Sequence, residues 1–245
     1  MNTSTQPIST NISARLNTNY LVYKDAGVFP LFLIPALILS SIALIGIPLN
    51  LSVCYITIKY SVNVRVTRSA LKRNTYSALR SNTSILILFY SFFEILHQSG
   101  HFFYLFLALS GKNFIPFGKS VYFNSQSVIG YISSLLMFNS LSIDRFLAAA
   151  FPIYYQCIKK KKYICVHLSI ILLFDCLIFY KILHTALFFY DLPVDGNIPT
   201  SLNVIFNDMK IPVSISTLIY FPSIILYFAV GLILKYRAGP FIYKI

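Results

Sequence analysis

Charge is scarce in this 245-residue sequence. Only 11% of its residues are Asp, Glu, Lys or Arg, and just 7 residues are acidic. With 57% hydrophobic residues and a mean hydropathy of +0.71, that scarcity excludes an ordinary soluble domain and indicates a membrane protein. Tryptophan is absent. The 4 cysteines, Cys54, Cys157, Cys165 and Cys176, show no CxxC spacing, and none lies in the polar connections assigned below to the outside, which argues against a disulfide framework. No GxSxG, P-loop, HExxH or pair of catalytic carboxylates occurs, so nothing supports an enzyme and no cofactor is implied. The shortage of acid leaves a formal charge of +13. On a soluble chain this would suggest nucleic acid, but the basic residues here fall in short blocks between apolar runs. We read them as topology signals, with no nucleic-acid partner.

Residues 1–27 are polar and lack the apolar core of a cleavable signal peptide, so they are expected to remain as an extracellular tail. Two sequons, at Asn2 and Asn11, suit glycosylation there. Beyond the tail, five apolar runs can each cross roughly 30 Å of hydrocarbon as a helix. They span about 28–58, 83–109, 121–151, 163–190 and 211–234. Strands would leave backbone groups unsatisfied in lipid, so the expected fold class is all-α, a polytopic transmembrane helix bundle over 28–236. Lys59, Arg65, Arg68, Lys72, Arg73 and Arg80 make 59–82 a basic inner loop, and Lys159 to Lys162 mark another. The positive-inside rule then predicts an N-terminus outside, a short cytoplasmic end at 237–245, and a multi-pass plasma-membrane protein with the lipid bilayer as a partner.

Ionisable residues inside spans are functional candidates because each is costly in lipid. Glu94 lies midway along the second run, Asp175 midway along the fourth, and Asp144 with Arg145 near the cytoplasmic end of the third. His97 and His101 share a helical face one turn apart. With no intervening HExxH glutamate and no third ligand they predict a polar lining in the outer half of the membrane, and no metal.

The stretch "SLSIDRFLAAAFPIYY" resembles the end of the third helix of rhodopsin-like G-protein-coupled receptors, with Asp144, Arg145 and Phe146 followed by Pro152. "GIPLNLSV" is similar to the first helix of that family and places Asn50. "SNTSILILFYSFFEIL" is similar to the second and places Glu94, and Pro222 in "LIYFPSIILYF" resembles the helix-five proline. "EILHQSGHFF" and the aromatic, Lys-rich style look most like nematode chemosensory serpentine receptors of the class called sx, over about 29–235 with 59–78 unmatched. The resemblance implies a seven-helix receptor for an odorant, peptide or other small molecule that signals through a heterotrimeric G protein. Arg145 would pair with Asp144 at rest and be freed on activation, Asn50 and Glu94 would form a polar site in the bundle, and Tyr122 and Phe123 would line a ligand pocket with His97 and His101.

Three departures accompany it. The family's outer disulfide has no counterpart, because Ser120 stands near the expected cysteine and 191–210 has none. The inner loop 59–82 is long, and the sequence ends shortly after the fifth run, so the expectation is a receptor truncated after helix five, with two further spans encoded downstream. The alternatives are a small transporter or channel subunit using Glu94 and Asp175, which would predict an internal repeat that is not visible, and a non-signalling partner of a full-length receptor.

Overall fold

A computed structural model describes residues 20–63, 82–207 and 215–242. Asn2 and Asn11, most of the loop 59–82 and the first residues of the fifth apolar run lie outside them. The described chain is mostly helical: α1 (Pro30–Asn63), α2 (Asn82–Leu109), β1 (Ile115–Pro116), α3 (Phe117–Ala150), α4 (Pro152–Cys157), α5 (Lys160–Phe188), β2 (Pro193–Val194), α6 (Ile198–Asn207) and α7 (Ile215–Ile242).

Pro30–Lys59, Lys160–Phe188 and Ile219–Arg237 are long and apolar enough to cross a membrane by length and composition. At most 17% of the most apolar window of any of them is buried, so their large side chains, such as Ile42, Leu172 and Phe228, face outward. Outward apolar surface on this scale suits lipid. α2 and α3 are as long, but Glu94, His97, Gln98 and His101 in the one and Asn124, Gln126 and Asn139 in the other lower their apolar content. The polar residues of the candidate site sit on these two helices.

The break between α3 and α4 follows from one residue. Pro152 pushes Phe151 out of the α region, to φ −129 and ψ 62, so α3 ends at Ala150 and Pro152 opens α4 at its first turn, where a missing N–H is tolerated.

The chain divides into two compact units. The first comprises Met1–Pro48, Glu94–Tyr131 and Asp175–Ile215. Its core gathers Phe117, Val128, Ile182, Val194, Ile198 and Ile205, and a smaller cluster joins Ala36, Tyr104 and Ala108. Here the connection after α5 is built rather than loose. β1 pairs antiparallel with β2, Ile115 against Val194, and Gly196 turns the chain at φ +74 into α6. The residues just before α1 are held too, since the Asn113 amide donates to the carbonyls of Tyr23 and Gly27, both at 2.9 Å.

The second unit comprises Leu49–Phe93, Ile132–Phe174 and Ser216–Ile245. Leu86, Met137, Leu141, Tyr163 and Ile171 form its core. Phe138 adds a ring cluster with Tyr90, Tyr220 and Tyr227, at centroid distances of 6.4, 5.8 and 5.8 Å. In lipid, burying such side chains against one another gains close packing rather than escape from water, so polar contacts carry more of the specificity.

Candidate functional site

In the first unit α2 presents Glu94, His97, Gln98 and His101 within two turns, spaced i, i+3, i+4 and i+7 on one side. The Gln98 amide donates to the Glu94 carboxylate at 3.2 Å. The His97 ring lies 5.2 Å from that of His101 and 4.8 Å from that of Tyr131 on α3. Two small residues let the helices close in. An added Cβ on Gly46 of α1 would meet the Gln98 amide, and one on Gly100 would meet the Ser127 side chain, whose hydroxyl makes a short hydrogen bond to the His97 carbonyl. On the α1 side, the Ser40 hydroxyl donates to the His101 carbonyl at 2.9 Å.

His97 Nδ1, His101 Nδ1 and Gln98 Oε1 are buried without a hydrogen-bond partner. Buried polar atoms are normally paired, so three orphans within one helical turn mark a place able to take hydrogen bonds from a ligand.

Of the residues expected beside the histidines, Tyr122 is 80% exposed and is not gathered with them. Phe123 lies one turn before Ser127 and stacks on Phe103 at 4.9 Å instead. Tyr131 takes that place, and as one more aromatic in an apolar run it gave no signal of its own. Asn50 is half-buried on α1 and belongs to the second unit. Asp175 is buried on α5.

In the second unit Asp144 is fully buried. The Thr83 hydroxyl donates to one carboxylate oxygen at 2.6 Å, and the Tyr155 hydroxyl to the other at 2.7 Å. The expected pairing of Asp144 with Arg145 is not formed. Successive helical residues point about 100° apart, so Asp144 faces inward while Arg145 is exposed at the same helix end. Among the described residues the ion pair found is Lys24–Asp25, at 3.8 Å on the surface. Phe146 packs edge-on against Phe151 at 6.4 Å. Burial raises the Tyr155 phenol, and its hydrogen bond to Asp144 raises it further, so this residue remains a protonated donor.

Pro222 is exposed on α7 and has no N–H for the carbonyl one turn back. Asn139 meets the opened turn. Its amide donates to the Ile219 carbonyl at 2.7 Å, and its Oδ1 accepts from the Ser223 hydroxyl at 2.5 Å. An asparagine within "LLMFNSLSI" was the available signal for this contact.

The connection after α5 is attached without sulfur. The Asn124 amide donates to the Gly196 carbonyl at 2.7 Å and to the Ser120 hydroxyl at 3.3 Å. The Phe117 and Gly118 N–H groups donate to the Leu192 and Tyr190 carbonyls at 2.8 and 2.9 Å. All four cysteines are free.

The model of the family described as serpentine type 7TM GPCR chemoreceptor Srsx matches residues 70–238. The chain belongs to this family. Its members are receptors rather than enzymes, and the multi-pass membrane character read from composition agrees with the Srsx assignment. The Srsx match begins beyond α1, so it does not take in Gly46 and Asn50, while it does include 70–78, which the resemblance left unmatched. Nothing in it favours the transporter reading. Among curated proteins none matches this Srsx chain.

Proposed function

We propose that this Srsx chain is a chemosensory receptor of the plasma membrane, with its N-terminus outside and its C-terminus in the cytoplasm. A small hydrogen-bonding ligand is read by Glu94, His97, Gln98, His101 and Tyr131, and the state is passed to a heterotrimeric G protein at Arg145.

One observation carries the reading: Asp144 is closed off by Thr83 and Tyr155, while its neighbour Arg145 stays exposed at the helix end. A carboxylate already satisfied leaves the cation available to a protein partner. Separation of the two charges, rather than their pairing, is then the resting arrangement, and Tyr155 on the short α4 is the part that can move. Family membership supports coupling in general, and the basic blocks support the orientation.

The test is G-protein nucleotide exchange in membranes containing the full chain. Arg145→Ala is expected to lower exchange roughly tenfold at unchanged surface level, within the usual range of coupling energies. Unchanged exchange would remove Arg145 from the proposed role.

A further inference from the structure

A groove of about 630 Å³ opens in the second unit between the end of α3, α4 and the start of α5. Its lining changes character along the chain. Lys159 and Lys162 contribute two exposed ammonium groups, and Tyr154, 65% exposed, adds a phenol. One turn beyond Lys162, Val166 joins Leu147 and Ile158 in an apolar wall. None of the residues lining the groove is acidic.

The apolar surface continues past the groove. Val166, Ile170 and Leu173, at i, i+4 and i+7, are 50%, 50% and 61% exposed. They extend the wall by about 10 Å along α5, into a helix apolar enough to cross the membrane.

Two kinds of surface therefore meet in one place, in the order an amphiphile presents them. A small soluble anion would answer the lysines and leave the wall bare. A lipid without phosphate would cover the wall and leave two ammonium groups without a counter-charge, and a zwitterionic phospholipid would bring its own cation into a groove whose lining has no acidic residue to receive it. We infer that the groove is a binding site for an anionic phospholipid, with the phosphate held by Lys159 and Lys162 and an acyl chain along Val166, Ile170 and Leu173. Lysines near a membrane surface each strengthen attachment to anionic lipid appreciably, and here the groove confines that attraction to one headgroup. The site depends on the chain spanning a membrane and not on G-protein coupling, so either can fail without the other.

The experiment is native mass spectrometry of the purified full chain in detergent, with phosphatidylserine and phosphatidylcholine as probes. The wild type is expected to retain phosphatidylserine preferentially. Lys159→Ala with Lys162→Ala should lower that retention roughly tenfold. Lys160→Ala with Lys161→Ala removes equal charge outside the groove lining and should change it less than about twofold. Equal loss from both pairs would mean diffuse attraction to a basic surface and would overturn the site. Displacement by inorganic phosphate or glycerophosphoserine at the lipid's own concentration would also overturn it, since the ligand would then be a small phosphate. Should the groove variant fail to fold, Val166→Trp fills the wall with both lysines intact. Loss of retention is expected there too, and unchanged retention would refute the acyl-chain half of the inference.

Discussion

Asp144 in one unit and His97 in the other are polar side chains on long helices in largely apolar surroundings, yet their neighbours treat them differently. Around Asp144 both carboxylate oxygens are engaged, and Asn139 in the same unit has donor and acceptor in use. In the other unit His97, Gln98, His101, Asn113, Asn124 and Asn197 each keep one buried polar atom without a partner. Among the described residues the Tyr163 hydroxyl is the one such atom in the Asp144 unit. A completed network holds one arrangement firmly, whereas an uncompleted one is stabilised by whatever brings the missing donors or acceptors. The contrast among the described residues, six such atoms against one, fits the proposed roles of reading for the first unit and holding for the second.

The largest expected effect tests the holding side. Asp144→Ala leaves the Thr83 and Tyr155 hydroxyls without their acceptor and is expected to destabilise the second unit by about 3 kcal/mol. Thermal unfolding gives the size, and hydrogen exchange resolved by segment shows whether 82–93 and 132–158 loosen while 113–131 stays protected. Equal loosening of both would erase the distinction between the units.

A smaller effect separates two glycines of the reading side. Gly100→Ala forces a methyl group against the Ser127 side chain close to its backbone, with an expected loss of about 2 kcal/mol. Gly46→Ala meets only the mobile end of Gln98, which can swing away, so its loss should stay under about 1 kcal/mol. Reversal of that order would show that the Gln98 amide is held more firmly than its contacts suggest.

The smallest concerns pH. Burial raises the Asp195 carboxyl above the ordinary aspartate value, against the opposing Asn197 N–H that donates to it at 3.0 Å. Because the folded value exceeds the unfolded one, this contribution to stability is full below the unfolded value and is lost as pH rises through the folded one. Asp195→Asn should flatten that slope in a pH series of unfolding midpoints. An unchanged slope would place its origin elsewhere.

Much of the helical framework was legible because long apolar runs leave the backbone few choices. The run read as 28–58 is the helix Pro30–Asn63, and 163–190 is Lys160–Phe188. Pro152 announced the end of α3 by sterics alone. The connection 191–210 read only as polar, since β1 and β2 are two residues each and α6 is ten, too short for periodicity to speak. Local sequence pointed to Asp144 and Arg145 but not to their surroundings. Thr83, the partner of Asp144, lies 61 residues away, and a hydroxyl carries no mark of its acceptor. The Asp144–Arg145 pairing came from the family resemblance, and the helix geometry here turns the two side chains about 100° apart.

The attachment of the connection after α5 by Asn124, Ser120 and the β1–β2 pair bears on how the protein is made. Hydrogen bonds form in any redox compartment, so the connection should close as readily in a reducing cell-free reaction as in an oxidising secretory pathway, without oxidant or isomerase. Dithiothreitol should leave it in place.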